Sequence, residues 1–326
     1  MTISFKPPEF RPRAPWFGGD LQTLRNTIRG RSLSLDLWPS RELLIPFDDG
    51  SGDHMSAELH KAINGGTKPT IVLVHGLTGS ADSVFVVNSA HHFLSQGYNV
   101  ARLNMRAASP VAHFCTKLSH AGKSDDLRAA LKALPLEFTQ NGLVVMGYSL
   151  GGNIALKCAG EGQGLDNVKA FISISAPVDL YAAQKRIHQW RNSVYHHHLM
   201  RGMKTDALAS KLDDSFKQAV NSVQTIYDFD EYVIAPLHGF DDAFHYYEVN
   251  SAKSYIPEIK HPCLIIHAED DPWIPVQSYE LLKPDLAPHT HMILPPSGGH
   301  VGFHDAADIS PWHNRAATTF LDYLGL

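Results

Sequence analysis

The chain's 326 residues allow one large α/β domain with an insertion, or two smaller domains. With 44% hydrophobic and 19% charged residues, the composition is that of a globular protein able to build a full core. A net charge of −5 and the lack of any basic run argue against a nucleic-acid backbone as partner.

Along the chain, residues 1–40 read as irregular with short helical pieces. Leu43–Phe47 and Met55–Leu59 read as strands flanking the turn-rich 48–53, a hairpin. Thr70–Val74 is a nearly all-apolar strand, suited to a sheet covered on both faces. Val84–Leu94 reads as a helix stopped near Gly97, and Asn99–Leu103 as the next strand. Ser124 is an expected N-cap, with Asp125 and Asp126 favourable to the helix dipole; Leu127, Leu131 and Leu134 then recur at helical spacing. Leu143–Met146 is a strand and Asn153–Ala159 a helix. Further strands are expected at Ala170–Ser175, Cys263–His267 and His291–Leu294, with a closing helix at Trp312–Leu324.

Strands alternating with helices imply a mostly parallel sheet, with the hairpin as an antiparallel edge. Between Pro177 and Pro262 there is no apolar strand, only helical stretches such as Tyr181–Met203 and Thr205–Ile226. This is long for a plain crossover. It reads as a helical cap over the carboxyl edge of the sheet, where open α/β folds bind ligands. The organisation is therefore core at 1–178, cap at 179–260 and core again at 261–326.

The three cysteines, Cys115, Cys158 and Cys263, are well separated and read as buried free thiols of a reducing compartment. No C-x-x-C pair suggests a thiolate zinc site. The N-terminal stretch has no signal-peptide core, and no run of about 18 apolar residues suggests a membrane span. A soluble, cytoplasmic protein is expected, without an integral membrane anchor but compatible with peripheral membrane contact.

The chemistry centres on Gly147-Tyr148-Ser149-Leu150-Gly151, a G-x-S-x-G run between a strand and a helix. In that setting the glycines permit a strained turn that lifts a serine hydroxyl to the top of a sheet. Ser149 is the expected nucleophile. His300, after Gly298-Gly299, is the expected base, with His304 as rival. Asp271, in Asp270-Asp271-Pro272, is the expected orienting acid, with Asp270 as rival. The order Ser, Asp, His is that of α/β-hydrolase triads. Backbone N–H groups of Leu77, after His75-Gly76, and Leu150 are the expected oxyanion donors. Tyr195-His196-His197-His198 reads as polar cap surface rather than a metal site. Trp190, Tyr195, Leu199, Met200 and Met203 read either as an apolar face guiding acyl chains or as packing. His91-His92 reads as a partly exposed helix face, and Asp228-Phe229-Asp230 has no chemistry of its own.

Several local matches converge. Leu21-Gln22-Thr23-Leu24, His75-Gly76-Leu77-Thr78-Gly79-Ser80, Asn104-Met105-Arg106, 147–153, the stretch 228–247, Asp270-Asp271-Pro272 and 298–303 together resemble the YheT-like branch of the α/β-hydrolases. The resemblance implies carboxylic-ester hydrolysis by Ser149, Asp271 and His300, on short acyl or lipid-like esters. Two loops depart from it. Ala107-Ala108 stand where the family continues with Gly, and Ser119-His120-Ala121-Gly122 where it has Tyr-His-Ser-Gly; both are expected near the site. A serine carboxylesterase needing no metal or organic cofactor is the first reading. Acyl transfer, thioester cleavage or amide cleavage on the same triad is the alternative, and a non-catalytic ligand-binding protein of this fold is a third.

Overall fold

A computed structural model describes residues 5–30, 33–63 and 66–326; the extreme N-terminus of the stretch read as irregular lies outside these residues. Eight strands form one sheet in the order β1-β2-β4-β3-β5-β6-β7-β8. They are β1 (Ser40–Pro46), β2 (His54–His60), β3 (Thr70–Val74), β4 (Val100–Asn104), β5 (Leu143–Tyr148), β6 (Val168–Ile174), β7 (Cys263–Ile266) and β8 (Thr290–Ile293). The hairpin β1–β2 is antiparallel and so is the β2–β4 pairing; the other pairs are parallel. This is the α/β-hydrolase architecture expected from the sequence.

Both faces of the sheet are covered, which is why every residue of β3, β4 and β5 is buried. Side chains alternate between two cores. Val72, Val74 and Val145 point into one, with Leu127 and Leu131 of the helix Ser124–Ala133 and with Ile154 and Leu156 of the helix Leu150–Glu161. Ile71, Leu73, Val144 and Met146 point into the other, against Val84–Ser95 and Trp312–Leu324. That period of two is the strand pleat.

The segment between β6 and β7 is helical and builds a third core with Leu118 and Ala121. Its helices break differently from the sequence reading. Tyr181–Met203 is not one helix: Leu180–Ile187 ends, Trp190–Asn192 forms a 3₁₀ turn, and Ser193–Ala209 starts anew. Thr205–Ile226 breaks too, because Ser193–Ala209 runs on past Thr205 and Asp214–Ser222 is separate. The Ser124 cap is also corrected. Ser124 is the first helical residue, after Lys123, and makes no cap hydrogen bond; its hydroxyl lies back toward Gly122 O.

Candidate active site

The order β4-β3-β5 marks the point where successive strands go to opposite sides, and a crevice opens at the carboxyl ends there. Ser149 follows β5 and His75-Gly76-Leu77 follows the adjacent β3. Ser149 sits at φ 50°, ψ −121°, a strained backbone for a non-glycine residue. Its neighbours must be glycine for want of space. A Cβ on Gly147 would lie 2.2 Å from Gly151 O, and one on Gly151 would lie 2.3 Å from His75 O. A Cβ on Gly76 would come within 2.9 Å of Ser149 Cβ, so the β3 exit presses directly on the serine.

The structure brings the three predicted side chains together. His300 Nε2 lies 2.9 Å from Ser149 Oγ, and His300 Nδ1 lies 2.9 Å from Asp271 Oδ2. Asp271 Oδ1 accepts the N–H groups of Trp273 at 2.8 Å and Ile274 at 3.1 Å. Burial works to raise the Asp271 carboxyl, but the His300 charge and these hydrogen bonds outweigh it and hold it below the usual value. Trp273 stacks on the His300 ring, centroids 4.2 Å apart. The rivals are occupied elsewhere. Asp270 Oδ1 accepts the Gly299 N–H at 2.8 Å, and His304 Nδ1 lies 3.1 Å from Arg25 Nη1.

Leu150 opens the helix Leu150–Glu161, and its N–H has no backbone acceptor among the described residues, whereas Gly152 and Asn153 N–H turn back to Ser149 O. Leu77 N–H has no backbone acceptor among the described residues. The loop carrying it is pinned by His75, whose Nδ1–H donates to Gly76 O at 2.7 Å while Nε2 accepts the Met105 N–H at 3.1 Å. Burial lowers the His75 pKa to about 4, so the ring is neutral and one tautomer satisfies both bonds.

Sequence reasoning missed how the histidine loop is held. Thr23 Oγ1 accepts the His300 N–H at 2.8 Å and donates to Gly19 O at 2.7 Å. Buried Gln22 donates to Trp16 O and accepts the His304 N–H. The helix Gly19–Arg29 thus braces residues 298–304, and the Leu-Gln-Thr-Leu run was the available signal. Gly298-Gly299 serve close packing as well as freedom: a Cβ on Gly299 would lie 2.3 Å from Gly19 O. We expect Thr23→Val to lower turnover about tenfold through a misplaced His300. Turnover and Tm measured together check this, since a general loss of stability would move both.

A cavity of about 520 Å³ opens at Ser149 and His300. Both departing loops border it, through Ala107, Ala108, Ser119 and His120. Ala107 adopts φ 57°, the left-handed conformation that makes glycine the usual choice there. Tyr195, Leu199 and Met203 line the cavity, whereas Trp190 is 89% exposed and belongs to no apolar face. The polar reading of 195–198 fails at His196, which is buried with Nε2 accepting the Ile226 N–H at 3.2 Å. His92 is buried too, bonded to Thr318 at 3.0 Å, so the reading of His91-His92 as a partly exposed face holds at His91 and is corrected at His92. The three cysteines are free and buried.

Sheet order, elbow and crevice define an α/β-hydrolase. A family model described as alpha/beta hydrolase fold matches residues 69–307, and the chain belongs to that family. It is 33% identical to YheT of Escherichia coli K12, a candidate esterase by name, over 72% of this chain and 71% of that one, which bears out the YheT-like resemblance. It is 26% identical to a monoacylglycerol lipase of Saccharomyces cerevisiae, over 78% of this chain and 59% of the other. The Pyrococcus furiosus esterase Pf2001 shares the fold, with a TM-score of 0.60 at 15% identity, covering 98% of each chain. No helix among the described residues is long and apolar enough to cross a membrane.

Proposed function

We propose that this protein is a serine hydrolase that cleaves carboxylic esters through an acyl-enzyme. The observation that carries the reading is the unbroken relay Ser149 Oγ, His300, Asp271, with both links at 2.9 Å. His300 Nε2 takes the serine proton as Oγ attacks the ester carbonyl. The Leu77 and Leu150 N–H groups receive the oxyanion. His300 then protonates the leaving alcohol, and water activated by the same nitrogen releases the acid. Asp271 fixes the tautomer and stabilises the imidazolium.

The helices from Leu180 to Asn250 act as the cap. Leu180, Leu199 and Met203 give the cavity its apolar wall, which suits short- to medium-chain or lipid-like acyl groups. The names of the relatives, an esterase and a monoacylglycerol lipase, support an ester substrate. Three free, buried thiols suit a reducing compartment. A p-nitrophenyl ester series from acetate to palmitate tests the reading. Short- and medium-chain members are expected to turn over fastest, and absence of hydrolysis across the whole series would overturn it.

A further inference from the structure

Asp228-Phe229-Asp230 had no chemistry of its own in the sequence, yet Phe229 and Asp230 line the cavity, in a helical stretch that runs on to Tyr246 and Tyr247. Its helix departs from α geometry at a π-helical turn, Asp230–Ile234, a distortion that recurs at functional sites. Asp230, on that turn, is only 7% exposed and borders the cavity. Its Oδ2 accepts the Tyr247 O–H at 2.7 Å, while its Oδ1 has no partner among the described residues.

Two neighbours share this condition. Tyr246 accepts the Ala121 N–H at 3.0 Å, and its own proton has no acceptor among the described residues. His120 packs edge-on to Tyr246, centroids 5.6 Å apart. His120 Nδ1 accepts the Gly122 N–H at 3.1 Å, and burial holds the ring neutral, so its proton sits on Nε2. All three residues line the same cavity. They share that cavity with Ser149 and His300. Asn153, one turn into the helix that Ser149 precedes, donates to Ala121 O at 3.0 Å.

We propose that His120, Asp230 and Tyr246 form a polar subsite that receives a hydroxyl-bearing part of the ester substrate. The inference rests on the hydrolase reading above and narrows its substrate class. Two donors and one carboxyl oxygen lining the same cavity match hydroxyls, each of which both donates and accepts. A carboxylate would meet Asp230, and a quaternary ammonium would leave both donors unanswered. Burial pushes the Asp230 carboxyl up to about 7 despite the Tyr247 bond, so it passes between acceptor and donor near neutrality. A hydroxyl satisfies either form. A site built this way disfavours the deoxy analogue, because its buried polar groups are then left unpaired.

Matched ester pairs test this. One pair is the 2,3-dihydroxypropyl and propyl esters of one medium-chain acid; the other is the methyl esters of a hydroxylated and a plain acid. The readout is the kcat/KM ratio within each pair, for wild type, Tyr246→Phe and Asp230→Asn. Because each ratio is taken within one sample, loss of folded enzyme cancels. Wild type is expected to favour the hydroxylated member of at least one pair about tenfold or more, with the preference collapsing in both variants. Ratios near one in both pairs, or a preference surviving both substitutions, would overturn the subsite alone. A wild type that hydrolyses no member and takes no fluorophosphonate label would overturn the hydrolase reading and this inference with it.

Discussion

Ser149→Ala is expected to lower kcat on an accepted ester about a millionfold and to abolish labelling by a fluorophosphonate. The size follows from the division of labour at the site. A serine hydroxyl is a weak nucleophile until a base within hydrogen-bond reach takes its proton, and His300 Nε2 stands 2.9 Å away. Without Oγ there is no acyl-enzyme, and only the oxyanion donors and substrate binding remain to assist water. The fold should survive. The left-handed backbone at residue 149 is held by the Ser149 N–H bond to Ile174 O and by close packing of Gly76 and Gly151, none of which involves Oγ. An unchanged Tm with lost labelling is therefore expected. Labelling that persists in the variant would show that a different side chain is the nucleophile.

The parts of this site that were legible in the sequence are those with a local signature. A β-branched run, a glycine-flanked serine and a following helix spell the elbow within about ten residues, because a tight strand-to-helix turn demands small neighbours on both sides. The buried strands were legible for the same reason, since β3 and β5 are apolar on both faces and stand out from flanking turns. What stayed hidden depends on partners far away in the chain. Thr23 and Gln22 brace a loop some 280 residues downstream; the Leu-Gln-Thr-Leu run marks them, but nothing in it names so distant a partner. The acidic turn 48–53 reads as an ordinary hairpin. In the fold Asp49 and Asp53 join Asp126 around the buried Arg106 guanidinium, which fixes the loop bearing Ala107 against the cavity. The helical segment misled for a different reason. Helical periodicity persists across Gln189 and Lys211, so only tertiary packing reveals the breaks there. Asp230 was passed over because Asp228-Phe229-Asp230 matches no chemical pattern on its own, and only the fold shows Asp230 buried on a π-helical turn at the cavity.

Asp271→Asn is expected to lower kcat about ten-thousandfold while leaving the geometry of the site nearly intact. The two oxygens of Asp271 do different jobs. Oδ1 accepts the N–H groups of Trp273 and Ile274, and Oδ2 accepts from His300 Nδ1. An asparagine can keep its oxygen only where two backbone donors already require it. Its amide nitrogen must then face His300, and being a donor it forces Nδ1 to accept. The imidazole proton moves to Nε2, toward Ser149, so the nitrogen that should take the hydroxyl proton already carries one. Catalysis is lost through the wrong tautomer rather than through a displaced ring, which Trp273 still holds by stacking. Asp271→Ala separates the two effects, since it removes the carboxyl without supplying the opposing donor and should be less damaging at the histidine. Steady-state turnover of the three proteins on one ester, with Tm as control, checks the ranking. An asparagine variant as active as the parent would show that Asp271 takes no part in setting the state of His300.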